Sequence, residues 1–131
     1  MSAYEQEKQQ KTKCYTYFSL SGKFEPKEIT ALIGLEPYHE KKGESESEWR
    51  YGYNDRYEPI IADMFARTIK DLIPKVSIIS DIVSVFHAKA YLVAVVEIYT
   101  DEVTPALAPS LEVMKFCVDS RTEVDIDLYN Y

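Results

Sequence analysis

Residues 90–100, AYLVAVVEIYT, are apolar on both of the faces a strand would present. That pattern reads as a central strand covered on at least one side. The rest of the chain must then supply flanking strands and a covering layer. Residues 14–20, CYTYFSL, are aromatic and β-prone and read as a first strand that Gly22 ends. Cys14, Thr16, Phe18 and Leu20 share one of its faces, and Tyr15, Tyr17 and Ser19 the other. The C-terminal TEVDIDLYNY alternates, with Val124, Ile126 and Leu128 on one side and Glu123, Asp125, Asp127 and Tyr129 on the other. It reads as a half-exposed strand. WRYGY, residues 49–53, reads as a short strand in which Gly52 marks a bulge or an edge.

Helical periods fill the gaps. In FEPKEITALIGLEP, Pro26 suits a first helical turn, and Ile29, Leu32 and Ile33 form a stripe. Gly34 sits where a left-handed cap belongs, and Pro37 forbids continuation. Asp55 with Glu58 resembles a capping box. It precedes a stripe of Ile60, Ile61, Met64, Phe65, Ile69, Leu72 and Ile73, which Pro74 should end or kink. Residues 76–86 are rich in β-branched side chains. Even so, Ser77, Ser80, Asp81 and Ser84 recur at helical intervals, and HAKA offers no hairpin turn, so a second helix is expected there. After a loop at residues 101–105, Pro109 opens a last helix, with Leu111, Met114, Phe116 and Val118 expected to face the sheet. Residues 38–48, YHEKKGESESE, read as an exposed loop. The order is β-α-β-α-α-β-α-β. The expected architecture is an α+β two-layer sandwich, a four-stranded mixed sheet with helices on one face. Residues 1–13 read as a flexible polar tail and residues 14–131 as a single domain.

Charge narrows the partners. The formal net charge is -7, with 15 Lys and Arg against 22 Asp and Glu. Neutralising phosphates requires a basic surface, so no nucleic-acid partner is expected. No stretch approaches the ~20 apolar residues of a membrane helix, and the start lacks a signal-peptide core, so no membrane partner is expected and the cytoplasm is the expected compartment. Cys14 and Cys117 stand apart, each among apolar or β-prone neighbours, and are expected to be buried thiols.

The early aromatic strand with FEPKEITALIGLEP, the KKGE stretch before Trp49 and the terminal EVDIDLY together resemble the bacterial family catalogued as domain of unknown function 4279. The resemblance covers about residues 14–130. It implies a small stand-alone cytoplasmic α/β domain and carries over no catalytic residues.

Two features bear on function. Glu123, Asp125 and Asp127 place three carboxylates on one strand face, with alternate side chains about 7 Å apart. Such a ladder can ligate a divalent cation or divide acid and base roles. It also serves as the wet face of an exposed strand, where charge blocks pairing with other chains. Glu97 joins it if the neighbouring strand has suitable register. Tyrosine is abundant, at 11 residues. Tyr15, Tyr17, Tyr91, Tyr99, Tyr129 and Tyr131 lie on or near strands, and Tyr51, Tyr53 and Tyr57 lie near Trp49. Rings of this kind anchor protein interfaces, or line a core edge with their hydroxyls in water. His39 and His87 accompany no nucleophile or zinc signature. The reading is a non-enzymatic protein-binding module of immunity or adaptor type, monomeric or homodimeric. It would engage a basic protein surface through Tyr15, Tyr17, Glu97, Tyr99, Glu123, Asp125 and Asp127, with no catalytic residue, metal or cofactor assigned. The alternative is a carboxylate-based cation-dependent enzyme or small-ligand domain built on Glu97, Asp125 and Asp127 beneath His39.

Overall fold

A computed structural model describes residues 12–53, 61–99 and 108–130. Among these residues five strands, β1 (Lys13–Gly22), β2 (His39–Lys41), β3 (Ser47–Gly52), β4 (Lys89–Ile98) and β5 (Thr122–Asn130), form one open sheet in the order β2-β3-β1-β4-β5. Neighbours run antiparallel except β4 and β5, which are parallel. The described residues also form four α-helices: α1 (Pro26–Ile33), α2 (Ile61–Ile69), α3 (Val76–Val85) and α4 (Leu111–Asp119). The fold is α+β with a mixed sheet, as the periodicities imply, but the sheet has five strands rather than four. The added strand, β2, falls inside the stretch read as a loop. Its residues HEK are all exposed, so no apolar alternation marks them. It forms because β3 offers a free edge: His39 pairs with Arg50 and Lys41 with Glu48, and the Tyr38 N–H donates to Arg50 O at 2.9 Å.

β4 is central as expected, held between β1 and β5. Cys14, Phe18 and Leu20 of β1 and Ala90, Leu92, Ala94 and Val96 of β4 belong to one buried cluster, which the helices complete with Ile29, Ile33, Met64, Phe65, Ile69, Ile79, Ile82, Val113, Phe116 and Cys117. Phe18 sits at its centre, edge-on to both Trp49 and Phe116. Polar pins fix the layers. The Thr16 hydroxyl donates to Met64 O at 3.2 Å and lies 2.6 Å from the Thr68 hydroxyl. Having spent its single proton on Met64, Thr16 accepts from Thr68. Trp49 is fully buried and donates its indole N–H to Thr30 Oγ1 at 3.0 Å.

The local signals are mostly legible. Pro26 opens α1, and Gly34 ends it at φ 79° with its N–H on Thr30 O at 2.8 Å. Pro74 separates α2 from α3 within a 3-10 turn, Ile73–Lys75, that runs straight into α3. Residues 76–85 are helical, as the serine spacing implied. The Asp55–Glu58 box, Ile60, the loop at residues 101–105 and most of the 1–13 tail lie outside the described residues, while Lys13 opens β1.

α4 differs from expectation. Its N-cap is Ser110, whose side chain accepts from the Val113 N–H, so Pro109 lies one residue before the cap. Of the four residues expected to face the sheet only Phe116 is buried, and Val113 and Cys117 join it; Leu111 and Val118 are 81% and 76% exposed. Met114, Phe116 and Val118 step by two, a strand spacing that a helix cannot turn to one side.

Cys14 and Cys117 are buried free thiols. Burial pushes both up, Cys117 to about 11, away from the thiolate character a reactive cysteine needs. Among the described residues no helix is long and apolar enough to cross a membrane.

Candidate functional site

The helices pack against the even-numbered residues of β1 and β4, which leaves the odd-numbered ones on the opposite face. Register then determines what stands side by side. Tyr15, Val95 and Asp127 form one row across β1, β4 and β5, and Tyr17, Val93 and Asp125 the next. Ser19, Tyr91 and Glu123 form a third, extended by Arg50 and His39 on β3 and β2. Glu97 lies between Lys13 and Tyr129. Tyr15, Tyr17, Glu97, Glu123, Asp125 and Asp127 therefore share one sheet face, while Tyr99 follows the end of β4 and is half-buried. Val93 and Val95 are only 4% and 6% exposed although they stand on the face away from the main core.

The face is zoned by charge. At the β5 side, Asp127 is raised above the usual carboxylate range by partial desolvation and by Asp125, whose carboxyl is also its hydrogen-bond partner. Among the described residues no cationic side chain comes within ion-pair distance of Glu123, Asp125 or Asp127. A groove of about 280 Å³ lies at the Glu123 end, lined by Lys89, Tyr91 and Arg121 among others. At the other side, Arg50 stacks 4.6 Å over the Tyr17 ring and approaches Glu48 at 3.7 Å, and His39 reaches the same Glu48 at 3.6 Å. Tyr38 meets Tyr17 edge-on at 6.3 Å, and Tyr17 stacks with Tyr15 at 6.3 Å. Burial pushes the hydroxyl pKa values of Tyr17 and Tyr38 up, with Arg50 opposing, so both remain hydrogen-bond donors.

Sequence reading missed Arg50, Tyr38 and Glu48 here. Alternation in SEWRYG held the signal for two of them: with Trp49 buried, Glu48 and Arg50 must point the other way. The tyrosines near Trp49 go elsewhere. Tyr51 stacks on Trp49 and donates to Asp71 Oδ2 at 2.7 Å, and burial with that bond holds its hydroxyl up to about 12. Tyr53 lies under the Arg67 guanidinium, 4.7 Å from its ring centre.

His39 does not sit above the acidic row. β2 and β5 are opposite edges of the sheet, roughly 19 Å apart at the usual strand spacing. Glu97 stands opposite Tyr129, one step along the face from Asp127. Among the described residues no three of His, Cys, Asp and Glu converge to hold a metal ion.

The molecule is thus an α+β domain that keeps one face of a mixed sheet outside its main apolar core. The chain belongs to the family described as domain of unknown function (DUF4279), whose model matches residues 12–131. Neither a curated protein nor a solved structure significantly matches it.

Proposed function

We propose that the protein is a non-enzymatic binding module of immunity or adaptor type, acting in the bacterial cytoplasm, whose acidic, tyrosine-lined sheet face engages a basic protein surface. The observation that carries this reading is the row of carboxylates beside aromatic rings, with Asp127 raised by desolvation and by Asp125. A face that gathers unneutralised charge forgoes stability, and a cationic partner would recover it. Net charge of -7 steers the encounter, and Tyr15 and Tyr17 supply contact area at small entropic cost. The test compares pull-downs by the native chain and by the variant Asp125→Lys with Asp127→Lys. A partner that the variant loses, and that high salt releases from the native chain, supports the reading. A partner retained in full by the variant contradicts it.

A further inference from the structure

We propose that β5 is a strand-addition edge, which receives an extended segment alternating Lys or Arg with apolar residues. This rests on the preceding reading and specifies the form of the basic partner. Among the described residues β5 pairs on one side only, so alternate backbone N–H and C=O groups along its outer edge have no strand partner. The two faces of this edge differ in chemistry. Val124 and Leu128, on the helix side, are 39% and 47% exposed, although their pairing partners Leu92 and Val96 on β4 are fully buried. Glu123, Asp125 and Asp127 stand on the other side, with no cationic side chain among the described residues at ion-pair distance. A strand laid along β5 puts its own side chains about 5 Å from these. Apolar residues then cover Val124 and Leu128, while the intervening residues face carboxylates and must be cationic.

A second copy of the chain is the wrong occupant. Antiparallel pairing of β5 with itself about Asp125 sets Asp125 against its own copy and Glu123 against Asp127, so like charges oppose along the seam. Parallel addition of copies does not close. The edge rejects itself by charge yet retains an apolar margin, a combination that selects a basic, alternating strand.

The experiment uses the full chain and two capped peptides of equal composition, acetyl-KVKVKVKV-amide and acetyl-KKKKVVVV-amide. Binding is read by fluorescence anisotropy, and amide exchange is read along residues 122–130. The alternating peptide is expected to bind at least tenfold more tightly, to slow exchange in β5, and to weaken with salt. Leu128→Lys, at a half-exposed position, is expected to remove most of that preference. Equal affinity for the two peptides, or protection confined to other strands, overturns strand addition. If that shared affinity still falls with Asp125→Lys, the acidic-face reading survives alone. Concentration-dependent dimerisation abolished by Leu128→Lys also overturns the proposal, in favour of a second copy.

Discussion

The carboxyl of Asp127 holds its proton more tightly in the fold than in the unfolded chain, because it is partly desolvated and hydrogen-bonded to Asp125. The native state thus binds more protons than the unfolded one through the carboxylate range, and stability falls as pH rises through that range. The penalty is complete above the folded pKa and absent below the unfolded one. Asp127→Asn keeps a donor for Asp125 and removes the charge. At pH 7 it should raise Tm by about 1–3 °C, with the difference vanishing near pH 3. Scanning calorimetry at both pH values checks this. Thr16 presents the opposite case, a buried polar residue whose partners are all satisfied. Thr16→Val leaves the Thr68 hydroxyl without its acceptor, although Met64 O, four residues back on α2, is within its reach. The expected cost is therefore about 1 kcal/mol, below the upper range for an orphaned hydroxyl, and urea unfolding should show it. Nothing in CYTYFSL marks Thr16 as a pin, because Thr also suits a strand by propensity alone.

At the scale of elements, Gly52 and Arg121, both at positive φ, should respond to substitution with opposite sign. Gly52 ends β3 at φ 157°, and a Cβ there would lie 3.1 Å from Thr16 O and 3.2 Å from Tyr17 Cα, both backbone atoms of β1. Gly52→Ala should destabilise by more than about 1 kcal/mol. Arg121 turns α4 into β5 at φ 58°, where a side chain strains the backbone. The Ser120 hydroxyl holds that turn by donating to Phe116 O at 2.7 Å while lying 2.7 Å from Thr122. Arg121→Gly should stabilise by about 0.5 kcal/mol, the strain relieved exceeding the added freedom of the unfolded chain. Chemical denaturation of both variants against the native chain checks the pair. Gly52 was legible as a special position in the sequence, and it lies beyond the residues of β3 that β2 pairs with, but the close approach of β1 was not legible.

Across the whole molecule, charge and layering oppose each other. A net charge of -7 repels itself in the compact state, and the β5 side of the face away from the core concentrates part of it. Raising NaCl from 10 to about 200 mM should therefore raise Tm of the free protein while weakening capture of a basic partner, both by screening. A melting temperature indifferent to salt would show that the charges are already neutralised. The sequence by itself determined the helices, the central place of β4 and the two faces of β5, because periodicity and capping are local and each side chain carries its own preference for water. Tertiary structure alone decided the rest. β2 exists because β3 had an edge to offer, and α4 presents Val113 and Cys117 because its packing selects the stripe. Arg50 and Tyr38 meet Tyr17 because antiparallel register brings β3 beside β1. Each of these depends on which elements lie next to which, a property of the folded neighbours rather than of any one segment.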